Sequence, residues 1–352
     1  MQEEKPVRPA KRVQRRDFIK LGGAATVGFL ARGVVPSQAG ALPRLPSNPV
    51  TPTAMPTRNL GRTGYRVGIF SLGGQAAIEK PNNAEIAVPI VERALDLGVN
   101  YIDTAARYGG NERWSQRYIG EVMKRRRSQA FLTSKTHERT RDGSWKLLEE
   151  SLRLLQTDHL DLWQIHNMSR PQEVEQIFAA DGAVKALQEA RDQKIVRCLG
   201  VSGHADPEVL AEVIGRFPFD TILMALNAAD KHHLSFLEKL LPLAVEKEMG
   251  IIGMKIPARG AILSSFTPPP PGEPSPPSRA TQPGTITMRE AMRYVLSLPV
   301  STVIVGCDST AQLEENVEIA RGFTPLSATQ GADLERRTEP IARQALFFRR
   351  WS

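Results

Sequence analysis

Short apolar runs recur along the chain with a regularity that dictates its architecture before any single residue is considered. They occupy Ile69–Leu72, Val99–Ile102, Ala130–Thr133, Leu160–Ile165, Ile195–Val201, Thr221–Leu226, Gly250–Ile256 and Thr302–Val305. Between them, apolar residues return at three- and four-residue spacing, as Leu147, Leu148, Leu152 and Leu155 do. That spacing predicts helices over approximately Glu85–Leu97, Glu112–Lys124, Gly143–Leu155, Gly182–Gln193, Asp206–Phe217, Leu234–Glu248, Thr287–Leu298 and Thr310–Arg321. A run that is apolar throughout is a strand buried on both faces, as parallel strands covered by helices are. Eight such runs alternating with eight helices predict an α/β fold, a (β/α)8 TIM barrel. A doubly wound open sheet is the alternative. It calls for a Gly-x-Gly-x-x-Gly turn after its first strand, and Ser71-Leu-Gly-Gly74 supplies none.

Three departures from the rhythm frame the barrel. Turn residues Gly61, Thr63 and Gly64 mark an N-terminal hairpin within Arg58–Gly68, placed to cover the barrel floor. Thr267–Gly284 carries Pro268–Pro271, Pro274, Pro276, Pro277 and Pro283, and so reads as an extended loop after the seventh run. It is a surface insert or a lid. Beyond Arg321 the pattern predicts one more helix, Ala332–Phe347, and a surface-packed basic and aromatic end, Phe347–Trp351.

Composition changes the picture mainly at the N-terminus. The net charge is +8, but residues 1–41 contribute +5 of it, which removes the main support for nucleic-acid binding. Those residues read as an export signal, followed by a linker over 42–56, the barrel over 57–322 and a tail over 323–352. Arg15-Arg16-Asp17-Phe18-Ile19-Lys20 ends a basic segment, Leu21–Leu30 is moderately apolar, and Ala39-Gly40-Ala41 is a small-residue cleavage site. The apolar run is too short for a transmembrane helix, which needs about 20 residues. The Arg pair resembles a twin-arginine signal, with Gln14 where Ser or Thr is usual. The resemblance implies delivery of the folded chain to the bacterial periplasm by the twin-arginine machinery, with no transmembrane segment in the mature chain. Cys198 and Cys307 are expected to be buried thiols, with a disulfide between them possible in an oxidising compartment. With no Cys/His cluster, no metal site is expected.

In a barrel, the residues at strand C-terminal ends converge on one site. Here those ends offer Asp103, with Tyr108 just beyond, then Lys135 and His166. Any one of them has an ordinary structural reading. Four at three successive strand ends point to chemistry. From Arg58 to Arg321 the chain resembles the aldo/keto reductases. The motifs that carry the resemblance are Asn59-Leu-Gly-Arg-Thr-Gly64, Asp103-Thr-Ala-x-x-Tyr-Gly109, Ser134-Lys135, Asp161-Leu-x-x-Ile-His166, Gly200-Val-Ser202 and Gln312-Leu-Glu-Glu-Asn316.

The resemblance implies an NAD(P)-dependent oxidoreductase interconverting a carbonyl and an alcohol. Tyr108 would be the general acid or base, Lys135 would lower its pKa, Asp103 would hold the lysine, and His166 would orient the carbonyl. It implies cofactor contacts from Asn167 and Ser202, from Lys255, Pro257, Arg259 and Gly260, and from Gly306, Ser309, Gln312, Glu315 and Asn316. Asp308 stands where many relatives carry a basic residue for the 2′-phosphate, which favours NAD over NADP. Leu226 stands where a stacking aromatic is common, and Leu223 where a carboxamide-binding glutamine is. The alternative is a barrel kept for binding or regulation, and the Leu223, Leu226 and Asp308 positions lean that way. A hydrolytic barrel is disfavoured, because Asp220 begins a strand and faces the other end.

Overall fold

The computed structural model describes residues 42–351, apart from 52, 271, 272 and 274–279. The expected export signal, and much of the proline-rich stretch, lie outside the described residues. Among the described residues no helix is long and apolar enough to cross a membrane.

The eight apolar runs form a closed parallel barrel. Its strands are β3 (Phe70–Gly73), β4 (Tyr101–Asp103), β5 (Phe131–Thr136), β6 (Leu160–Ile165), β7 (Val196–Gly203), β8 (Thr221–Ala225), β9 (Gly250–Met254) and β10 (Thr302–Val305), and β10 closes on β3. The hairpin pairs β1 (Thr57–Asn59) with β2 (Arg66–Gly68) in antiparallel register. It does close the floor. Leu60, Tyr65 and Val67 pack with Tyr101, Phe131 and Leu162 inside the barrel, and the Tyr65 ring stacks on Phe131 with centroids 4.5 Å apart. Gly61 makes the close approach possible. Its φ is +52°, and a Cβ there would lie 2.2 Å from the Gly250 nitrogen.

Strand periodicity builds the interior in layers. Tyr101, Phe131, Leu162, Cys198, Leu223 and Ile252 form an apolar lower layer. Two residues further along β4 and four further along β5, β6 and β7, the same face presents Asp103, Lys135, His166 and Ser202. The outer face of the strands meets helices α1 (Ala84–Asp96), α2 (Trp114–Arg126), α3 (Arg141–Leu154), α4 (Pro171–Phe178), α5 (Ala183–Asp192), α6 (Pro207–Arg216), α7 (Phe236–Glu246), α8 (Met288–Leu296) and α9 (Thr310–Arg321).

Two helical expectations need correction. Helix α4 was not foreseen. It is two turns long and buries only Val174 and Ile177, too few for a visible period, although Pro171 at its first turn and Glu173 bonded back to the Arg170 N–H are sound start signals. The tail helix is broken in two, α10 (Ala328–Thr338) and α11 (Ala342–Ala345), by Pro340, which lacks the N–H that a continuous helix requires. The tail also packs more deeply than a surface segment. Arg349 is fully buried against Asp230. Described residues of the proline-rich stretch are irregular, as its composition dictates.

Cys198 and Cys307 are both free and buried. They sit on opposite sides of the sheet wall, in the interior and outer clusters, and no disulfide joins them. Burial pushes each thiol up to about 12, so neither is a ready nucleophile.

Candidate active site

A cavity of about 470 Å³ opens at the C-terminal ends of the strands. Tyr108, Lys135 and His166 line it together with Asn167, Ser202, Lys255 and Arg259. Asp103 lies directly behind Lys135. The lysine and aspartate side chains are 0% and 1% exposed, with Nζ 2.5 Å from Oδ2. Lys135 also donates to the Thr104 carbonyl at 2.9 Å, and the Thr133 hydroxyl donates to Asp103 Oδ1 at 2.8 Å. Register explains the grouping. Asp103 is paired with Thr133 across β4 and β5, and Lys135 with Gln164 across β5 and β6. Asp103, Lys135 and His166 therefore come to one side of the barrel mouth.

Burial pulls the Lys135 ammonium below the ordinary lysine value, and Asp103 opposes this by favouring the charged form. The ammonium lies 5.0 Å from the centroid of the Tyr108 ring, and the His166 ring meets Tyr108 edge to face at 5.7 Å. Tyr108 does not titrate as the residue types alone suggest. Burial raises its pKa well above the ordinary phenol value, Asp103 and Glu79 add to the rise, and Arg259 opposes it. Lys135 makes no hydrogen bond to its hydroxyl, being held by Asp103 and Thr104. The side chain is a neutral phenol that carries its proton. His166 is held well below the ordinary imidazole value by burial first and then by Lys135, His204, His137 and Lys255. It is a neutral ring whose buried Nδ1 has no partner.

The proposed cofactor contacts fall into three groups. Asn167 and Ser202 adjoin each other, with the Asn167 N–H donating to Ser202 Oγ at 3.0 Å. Asn167 sits at φ +55°, and its Oδ1 is buried without a partner. Lys255, Pro257, Arg259 and Gly260 form the turn after β9. Lys255, Ala258, Arg259 and Gly260 all have positive φ, a concentration of backbone strain of the kind found at ligand clamps. Burial first, then Arg259, lowers the Lys255 pKa to about 8. Gly306, Ser309, Gln312, Glu315 and Asn316 follow β10, the neighbouring strand, outside the cavity proper. Here Ser309 Oγ caps α9, Gln312 Oε1 accepts the Asp308 N–H at 2.8 Å, and Asn316 Nδ2 meets Cys307 Sγ at 3.5 Å.

Leu223 faces the cavity, but Leu226 does not. Leu226 is wholly buried in the outer core beneath the helices, so it is no counterpart of a stacking ring, and Met254 is the other apolar residue on the cavity wall. Sequence reasoning also missed Gln75, Glu79, Arg107, His137, Arg139 and His204, all of which line the cavity. They lie in loops after β3, β4, β5 and β7, where no period marks them. His204 ties the tail to the site. Its carbonyl accepts from Arg349 Nη1 at 3.1 Å, and its ring lies 5.9 Å from that of Phe348.

The sequence profile described as the aldo/keto reductase family matches residues 66–337. An uncharacterized oxidoreductase of Bacillus subtilis is 25% identical over 302 residues, 76% of this chain and 91% of that protein. The L-galactose dehydrogenase of Arabidopsis thaliana is 27% identical over 318 residues, 82% of this chain and 96% of that enzyme. Among solved structures, an aldo-keto reductase from Bacillus halodurans in its holo form superposes with a TM-score of 0.65 at 26% identity, covering 80% of this chain and 96% of the other. With a family match across most of its length and the barrel that goes with it, this chain belongs to the aldo/keto reductase family.

Proposed function

We propose that the protein is a nicotinamide-dependent oxidoreductase interconverting a carbonyl and an alcohol, with Asp103, Tyr108, Lys135 and His166 as its catalytic groups. The observation that carries this reading is their convergence on one cavity, each at the end of, or just beyond, one of three adjacent strands. Bound nicotinamide would supply a hydride to a carbonyl carbon, or take one from an alcohol carbon. The protein's part is the proton. The neutral Tyr108 phenol carries the proton that an alkoxide needs, and neutral His166 can hydrogen-bond the same oxygen. The buried Lys135 ammonium, held by Asp103, favours the phenolate left behind and so lowers the cost of giving up the proton.

The residues present fit a nicotinamide nucleotide. The unpartnered Asn167 Oδ1, beside Ser202, would accept from the carboxamide. Lys255 and Arg259 would face the pyrophosphate, and Arg259 has no ion-pair partner among the described residues. The adenosine end would lie against Gly306, Ser309, Gln312, Glu315 and Asn316, at the start of α9, where backbone N–H groups favour an anion. Asp308 favours NAD over NADP. Lys80 moderates this preference, since its Nζ lies 2.8 Å from Asp308 Oδ1 in a pair whose side chains are 59% and 52% exposed. An exposed pair of this kind is worth only about 0–1 kcal/mol, so the discrimination should be several-fold rather than absolute.

Fluorescence titration tests both points. NADH is expected to bind several-fold more tightly than NADPH. Lys255 carries its charge below about 8 and loses it above. Affinity should therefore be greatest below that pH and fall as pH rises through and beyond it, bound anion shifting the midpoint upward. A pH-independent affinity would remove Lys255 from the site, and tighter NADPH binding would reverse the cofactor assignment. The pair Arg15-Arg16 supports export of the folded chain by the twin-arginine route, with its nucleotide already bound. Replacing both arginines by lysine should then retain the protein in the cytoplasm, as read by cell fractionation. Unchanged export would overturn the route.

A further inference from the structure

Across the barrel mouth from the proposed pyrophosphate and adenosine residues, the cavity wall is cationic and its cations are unequally compensated. In the closed order, β5 faces β9 and β6 faces β10. The loops after β4, β5 and β6 thus oppose Lys255, Arg259 and the β10 turn. They bring Arg107, His137, Arg139 and Arg170 to the cavity, with Glu173 the acid on that side. Glu173 is already saturated. Its Oε1 accepts Arg139 Nη2 at 2.9 Å, and its Oε2 accepts the Ser169 N–H at 2.9 Å and the Arg170 N–H at 3.0 Å. Burial would raise its pKa, but the Ser169 N–H and Arg139 outweigh that and leave it below the ordinary value, a carboxylate with no lone pair to spare for another cation. Arg139 is occupied in turn, donating also to the His166 and Asn167 carbonyls at 3.0 and 3.2 Å.

Arg107 and Arg170 remain. Both residues are exposed at the rim of the cavity, and neither guanidinium makes an ion pair or a side-chain hydrogen bond among the described residues. The field of Arg107 reaches His137, whose buried Nδ1 has no partner. Two guanidinium forks without a protein partner, on the rim of the cavity that holds the proposed proton donor, form a recognition surface for an oxyanion. We infer that the substrate is a small carbonyl compound, or its alcohol, bearing a carboxylate or phosphate group, and that Arg107 and Arg170 select for that group. This rests on the oxidoreductase reading of the same cavity.

The test compares matched aldehydes on the full-length protein with its preferred nucleotide. Succinic semialdehyde is set against butanal for the carboxylate, and glyceraldehyde 3-phosphate against glyceraldehyde for the phosphate. A charge-assisted hydrogen bond is worth about 1.5–3 kcal/mol, so kcat/KM should favour one charged member by about tenfold or more. The favoured pair identifies the anion. In the Arg107→Gln/Arg170→Gln double variant the ratio should fall toward unity through KM, and in the wild type it should shrink as salt is raised. Equal ratios in both pairs, or a preference that survives the double variant, overturn the inference while leaving the oxidoreductase reading intact. Calorimetric titration with succinate and with inorganic phosphate gives a readout independent of turnover. Binding of one anion that weakens about tenfold or more in the double variant supports the inference, whereas no binding of either overturns it. Anion binding with no turnover of any aldehyde would instead sink the oxidoreductase reading.

Discussion

The Tyr108→Phe variant is expected to lose carbonyl turnover by about two to four orders of magnitude, the usual contribution of a positioned general acid. The loss should come with nearly unchanged affinity for the nucleotide. The substitution removes one hydroxyl and keeps the ring. The ring's contacts, edge-on to His166 at 5.7 Å and under the Lys135 ammonium at 5.0 Å, therefore survive. Among the described residues the hydroxyl makes no hydrogen bond, and Tyr108 lines the cavity, so folding should not depend on it. Single-turnover kinetics beside a nucleotide titration separates the two effects. Turnover close to wild type would exclude Tyr108 as the proton donor, and a parallel collapse of nucleotide binding would show that the ring, not the hydroxyl, had been disturbed.

The second large effect concerns stability. Arg349, near the C-terminus, inserts its guanidinium between the ends of β7 and β8. It forms an ion pair with Asp230 in which both side chains are 0% exposed. It donates to the carbonyls of His204 and Ala225, each at 3.1 Å, and lies 3.7 Å over the Phe236 ring. Arg349→Met should destabilise the protein by about 3–5 kcal/mol, because it strands the Asp230 charge where water cannot reach it. Asp230 is not free to move away, since it also accepts from Ser235 Oγ at 2.9 Å and from the Leu237 N–H at 3.0 Å, at the start of α7. Adding Asp230→Asn removes the stranded charge and keeps an acceptor, so the double variant should recover much of the loss. Denaturant unfolding of the two variants provides the check. Equal destabilisation in both would mean that Arg349 acts by packing alone. The same clasp holds the His204 carbonyl, so the single variant should also loosen one wall of the cavity.

Much of this was legible along the chain. The eight strands and most of the helices follow from apolar periodicity, because parallel barrel strands are buried on both faces and the helices on one. The catalytic candidates follow from position, because strand C-terminal ends in a barrel have one place to meet. Asp103, Lys135 and His166 are therefore candidates without coordinates, as is Tyr108 in the turn beyond, and the structure brings them together at one cavity. Short α4 escaped because two buried residues make no period. The break at Pro340 could have been read from the proline itself.

Other features depended on contacts between residues far apart in the chain. The carboxylate of Asp308 looks like a bar to a 2′-phosphate until Lys80, 228 positions away, is found beside it. Leu226 looks like a substituted ring position until the chain just past β8 buries it in the outer core. Tyr108 and Lys135 read as a phenol acidified by a cation. In the fold that cation is also held by Asp103 and the Thr104 carbonyl, and burial raises the phenol's pKa, so Tyr108 keeps its proton at rest. Arg349 read as part of a surface tail until the chain folded back and carried it to Asp230. The sequence by itself determined the barrel, the hairpin beneath it and the residue types at its mouth, since these depend on local periodicity and strand direction. Only the tertiary structure decided which charges are neutralised and which, like Arg107 and Arg170, are left facing the cavity, because compensation depends on distances of a few ångströms between segments that sequence order keeps apart.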